Sequence, residues 1–90
     1  MKNFDNIPRD DGAILFRTEN KFGELDCVFE TWIWDGIQAN SIIFHKNDVS
    51  HLSDEELEKM IKESLIFKKD NSVTISRKNE KYTFVNFNFE

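Results

Sequence analysis

One cysteine, one proline and three glycines among 90 residues leave few of the usual carriers of chemistry. Cys27 stands alone, so no internal disulfide can form and no second thiol completes a zinc-binding set. Gly12, Gly23 and Gly36 are isolated at turn positions, which excludes a glycine-rich phosphate loop. No apolar run approaches the roughly 18 residues of a membrane span, and the polar first dozen residues lack the apolar stretch of a signal peptide. No Asn-X-Ser/Thr acceptor occurs. These absences point to a cytoplasmic protein.

What the chain does have is aromatic and charged. Nine Phe and two Trp supply apolar area that a disordered acidic chain would lack, so a folded domain is expected. Ninety residues make one small domain over 1–90, with a polar N-terminal segment over 1–12. A chain of this size buries roughly 60 to 65% of its unfolded surface, too little to enclose a large substrate cavity. The formal charge is −5, and residues 1–45 carry most of the excess, with eight acids against the four bases Lys2, Arg9, Arg17 and Lys21. Repulsion from phosphate argues against nucleic acid as the main ligand and favours a basic partner.

The segment from Glu24 to His45 spells out a β-hairpin. Leu25, Cys27, Phe29, Thr31 and Ile33 alternate with Asp26, Val28, Glu30, Trp32 and Trp34, the period of two of a strand. Asp35-Gly36 then supplies the two positive-φ positions of a tight turn and sets Trp34 opposite Ile37, Phe29 opposite Ile42 and Cys27 opposite Phe44. Ahead of it, Ala13–Glu19 reads as a first strand joined by a four-residue connection over 20–23. With Glu19 opposite Glu24, Phe16 meets Cys27, Ile14 meets Phe29 and Arg17 falls across from Asp26. Both registers place Ile14, Phe16, Cys27, Phe29, Ile42 and Phe44 on one core face.

A helix follows. Ser53 and Glu56 form an S-x-x-E capping box, Leu52 can staple onto Leu57, and Asp54, Glu55 and Glu56 complement the positive end of the helix dipole. Leu57, Met60, Ile61, Ser64 and Leu65 make one stripe at helical spacing that must cover a sheet. Ser72–Arg77 alternates as a strand, Asn79-Glu80 makes a turn, and Tyr82–Phe89 is apolar in both phases, as in a strand that is central, bulged or covered on both faces. The order β-β-β-α-β-β predicts an α+β fold, a five-stranded antiparallel sheet with one helix across one face.

No catalytic, cofactor-binding or metal residues are expected. Asp26 opposite His45 resembles two members of a nucleophile triad, but no serine or second cysteine accompanies them, and a cross-strand charge pair flanked by Arg17 is the simpler reading. His45, His51, Asp48 and Asp54 fit no metal-binding spacing. Lys68, Lys69, Arg77, Lys78 and Lys81 flank Tyr82 and Phe84 as in a single-strand-binding groove, without any module signature.

The sheet face away from the helix carries Glu30, Trp32 and Trp34 beside Asp26, a composition of aromatic anchors and carboxylates found in interaction patches. This face meets a partner, or it is covered by the N-terminal dozen residues or the C-terminal strand, or it is ordinarily exposed. Asp26, Glu30, Trp32, Trp34 and Asp35 are the candidate partner-binding residues. Small size, acidity and the lack of a reactive site predict a non-enzymatic inhibitor that masks a basic or amphipathic surface of another macromolecule, such as a nuclease or a nucleic-acid-binding complex. In composition the chain is similar to phage anti-defence proteins, anti-CRISPR proteins among them, and to immunity proteins of nuclease toxins. That likeness includes no shared motif, and no residue role follows from it. The alternative is a homodimeric structural or regulatory subunit joined through the Trp-bearing face, and a less favoured one is a nucleic-acid binder.

Overall fold

Asp35 and Gly36 adopt φ angles of 50° and 74°, the left-handed pair that a two-residue hairpin turn requires. In the computed structural model, which describes Phe4, Ile7, residues 13–64 and residues 73–87, this turn joins β2 (Leu25–Trp34) to β3 (Ile37–His45). The register is the expected one, Trp34 against Ile37, Phe29 against Ile42 and Cys27 against Phe44.

The first hairpin differs. β1 runs over Ala13–Phe22, three residues further than expected, and turns through Gly23 and Glu24 alone, with φ of 64° at Gly23. A glycine at the first central position suits a two-residue turn, so Phe22 meets Leu25, Arg17 meets Glu30 rather than Asp26, and Phe16 meets Thr31 rather than Cys27. The tight turn also separates the two glutamates that the longer loop would have set face to face. Phe22, expected in a loop, is a core residue packed edge-on against Phe44 with ring centroids 6.0 Å apart. A bulge between Ile14 and Phe16 then pairs Ile14 with Trp32. One extra residue reverses the side-chain phase, so Ile14 leaves the core face.

The short helix α1 (Lys46–Val49), absent from the sequence expectation, follows β3 directly and buries Val49. Next come α2 (Asp54–Ser64), β4 (Val73–Ser76) and β5 (Tyr82–Phe87), giving an antiparallel sheet in the order β1-β2-β3-β5-β4. The fold is α+β, as the element order predicted. The capping box is formed at both ends, Glu56 N–H donating to Ser53 Oγ and Ser53 N–H to Glu56 Oε1, each at 3.1 Å. Leu65, Lys68 and Lys69 lie outside the described residues, as does the end of the last strand beyond Phe87.

Two cores result. On the helix side, Leu57 and Ile61 of α2 and Val49 pack with Phe22, Cys27, Ile42, Phe44, Val85 and Phe87, while Phe29 is only half-buried and Ile14 and Phe16 are exposed. On the opposite face, Ile7 joins Val28, Ile43, Tyr82 and Phe84, with Phe4 against them. β5 sits inside the sheet with buried side chains on both faces, which explains why it is apolar in both phases.

Candidate functional site

Glu30 lies in the middle of β2 on the face away from α2 and is 2% exposed. Ionised carboxylates are almost never buried unless paired, and here Arg17, directly across the ladder, donates from Nε and Nη2 to Oε2, both at 2.8 Å. The row continues through Ser41 on β3 and Asn86 on β5. Trp32 Nε1 donates to Ser41 Oγ at 3.0 Å, and the Ser41 hydroxyl donates to Asn86 Oδ1 at 2.6 Å. A polar row thus crosses the sheet beside the Val28–Ile43–Phe84 row. Glu30 ties β1 to β2 here, with its carboxylate buried.

Asp26 is likewise engaged: Lys21 Nζ lies 2.9 Å from its Oδ1, and this contact raises the Lys21 pKa above its ordinary value. Trp32 is half-buried and tethered by its indole N–H, so it contributes to the sheet as well as to the surface. Trp34 pairs with Ile37 at the hairpin end, and Asp35 projects at the tip, exposed. Asp35, among the five residues expected to meet a partner, is placed openly. Trp32 and Trp34 share its end of the hairpin, whereas Asp26 and Glu30 are tied to cations of β1.

The open surface lies at that same end. Ile14, Leu15, Phe16 and Ile37 are 41%, 54%, 57% and 57% exposed. Ile14 is beside Trp32 on one face, Phe16 beside Thr31 on the other, and the bulge at Leu15 wraps apolar surface around the edge of the sheet. Ile37 closes the group across from Trp34. Sequence alternation missed Ile14 and Phe16 as surface residues by assigning them to the core. The signal available was three consecutive apolar residues, Ile14-Leu15-Phe16, which no regular half-buried strand needs.

Other candidate chemistry is accounted for structurally. His45 packs its ring against Phe4, centroids 4.1 Å apart, and near Tyr82. Cys27 is fully buried, and burial, reinforced by the charge of Asp26, pushes its thiol up to about 11, so the nucleophilic thiolate is suppressed. Among the described residues no cluster of three His, Cys, Asp or Glu side chains is placed to hold a metal ion. Arg77 donates from Nε to Asp54 Oδ1 at 2.7 Å, from Nη1 to the Val49 carbonyl at 3.0 Å and from Nη2 to the Leu52 carbonyl at 2.9 Å. Tyr82 and Phe84 are buried, so neither offers a stacking platform for bases beside the basic residues. A shallow depression on α2 is lined by Glu55, Glu58, Lys59, Lys62 and Glu63, two of whose acid–base pairs are i,i+4 contacts along the helix. No helix among the described residues is long and apolar enough to cross a membrane.

Comparison with protein-family models, with curated proteins and with solved structures finds no match to this chain, so its own residues carry the functional reading.

Proposed function

We propose that this chain is a small, acidic, non-enzymatic binding protein that inhibits a macromolecular partner by masking a basic or amphipathic surface. The observation that supports this reading is the character of the β1–β3 lobe. Its exposed apolar group, Ile14, Leu15, Phe16 and Ile37, lies on a lobe whose uncompensated charge is all acidic. Residues 13–45 carry two bases, Arg17 and Lys21, and both face carboxylates of β2, Glu30 and Asp26. Glu19, Glu24 and Asp35 remain as exposed carboxylates in excess. Apolar anchors supply affinity and an acidic surround steers a basic partner. In composition the chain is similar to anti-CRISPR and nuclease-immunity proteins, whose targets handle nucleic acid and are basic for that reason.

The test is affinity capture with the intact chain as bait, followed by binding measurements on the purified prey. A basic prey should be held by the native protein, released as salt shortens electrostatic reach to below roughly 8 Å, and lost with Phe16→Asp, Ile37→Asp or Asp35→Lys. Retention by all three variants, or binding indifferent to salt, would overturn the reading.

A further inference from the structure

Among the described residues β1 is an edge strand, and no described strand pairs with its outer side from Ile14 to Lys21. Each of these residues is exposed or half-exposed, so α2 does not overhang it. Long exposed edges are templates for strand pairing, and proteins commonly guard them with charged side chains. Here the two cations of the strand do not guard it, because Arg17 and Lys21 are folded back onto Glu30 and Asp26 of β2.

The direction of the outward backbone groups follows from both turns. In two-residue hairpins the residues flanking the turn form a hydrogen-bonded pair, and such pairs alternate along the ladder. Counting from Phe22–Leu25, the hydrogen-bonded partners on β1 are Phe22, Asn20 and Thr18, which leaves Arg17, Glu19 and Lys21 with N–H and C=O pointing outward. Counting from Trp34–Ile37, Glu30 bonds toward β3, so Arg17 opposite it must face out, in agreement.

We infer that β1 is a self-association edge: two copies of this chain pair antiparallel through β1 about a two-fold axis at Thr18. The axis sets Arg17 opposite Glu19 of the second copy, outward-facing backbone against outward-facing backbone, and repeats the pair on the other side. Arg17 keeps Nε and Nη2 on Glu30 and has Nη1 left for the new carboxylate. Neighbouring registers are worse. An axis at Glu19 opposes Glu19 to itself and Arg17 to Lys21, and one at Arg17 opposes two guanidinium groups. An axis at Asn20 ends the ladder at the Gly23–Glu24 turn, and an axis between residues sets outward-facing amides against inward-facing ones. An antiparallel two-fold stands perpendicular to the sheet, so the edge pairing leaves both faces uncovered and brings Phe16 of each copy to the same face. The dimer therefore carries its two apolar patches on opposite sides of the two-fold axis, with the Phe16 side chains about 14 Å apart along the shared ladder.

The test needs no partner. At Thr18 the facing residues form a non-hydrogen-bonded pair with Cα atoms about 4.5 Å apart, within disulfide reach. Thr18→Cys should cross-link to a covalent dimer in mild oxidant, whereas native protein should not, Cys27 being fully buried. Sedimentation should show a concentration-dependent native dimer, weakened about tenfold by Glu19→Lys, which sets Lys against Arg17 twice. Glu19 is exposed, and an unchanged circular dichroism spectrum would establish that the variant folds. A monomer at every concentration with no Thr18→Cys dimer would overturn the proposal. So would Ile37→Cys cross-linking faster than Thr18→Cys, which would move self-association to the hairpin tip.

Discussion

Arg17 grips the buried carboxylate of Glu30 from the neighbouring strand with two donors, each 2.8 Å from the same oxygen. The pair is asymmetric, since the Arg17 side chain is 36% exposed and that of Glu30 fully enclosed. Removing the exposed member takes from a buried charge its ion partner across the ladder, which costs more than losing a surface ion pair. Arg17→Ala should destabilise the fold by about 3 kcal/mol in urea denaturation. Adding Glu30→Gln, which removes the charge but keeps the shape, should recover a large part of that loss. Equal loss in single and double variants would show that Arg17 acts by packing alone.

At the start of α2 the reciprocal hydrogen bonds of Ser53 and Glu56 satisfy two amides that the helix leaves open. Ser53→Ala should cost about 1 kcal/mol. The Ser53 backbone N–H, and then its hydroxyl, hold the Glu56 carboxyl below its ordinary pKa. A carboxylate with a depressed folded-state pKa stabilises the fold above its unfolded pKa, and that contribution is lost as pH falls through the folded value. Acidification should therefore destabilise the native protein more than Glu56→Gln, as thermal melts across the acid range would show.

The second hairpin and the helix start were legible because one local pattern determines each of them. Asp35-Gly36 admits one tight turn, and the register then follows by counting; Ser53 and Glu56 mark the first helical turn by the donors they satisfy. The first hairpin was not legible to the same degree, because Asn20-Lys21-Phe22-Gly23 offers both a four-residue loop and a strand end. What decides is tertiary: Phe22 packs on Phe44, a contact formed only when β1 extends to the Gly23–Glu24 turn. The same long-range choice moved Arg17 from Asp26 to Glu30 and set Lys21 against Asp26. The bulge at Leu15 had a trace in its apolar triplet, but alternation carries no information about where an extra residue will sit.

Arg77 shows how a residue from a basic run becomes a structural clamp. Its guanidinium joins the carbonyls of Val49 and Leu52 to the Asp54 carboxylate, while its own carbonyl and that of Asn79 accept from Lys46 Nζ at 2.9 and 3.0 Å. A lysine cannot reproduce three diverging donors in one plane. Arg77→Lys should lower stability by about 2 kcal/mol and leave the salt dependence of partner binding unchanged. Weakened partner affinity with undiminished stability would instead place Arg77 on a binding surface.

Thr83 lies opposite Phe44 on the helix-facing side of β5, fully buried, and its hydroxyl finds no hydrogen-bond partner among the described residues. A buried hydroxyl without a partner forfeits its bonds to water and gets nothing in return. Valine has nearly the same shape, keeps the β-branch suited to a strand and carries no polar atom. The flanking Cys27–Phe44 pair offers an apolar neighbourhood for the added methyl. Thr83→Val should therefore raise stability by about 1 kcal/mol, seen as a higher urea midpoint with an unchanged slope. Thr83→Ser, which keeps the hydroxyl and removes the methyl, should lower it through the void it leaves. A loss of 1 kcal/mol or more in the valine variant would mean that the hydroxyl is paired in solution.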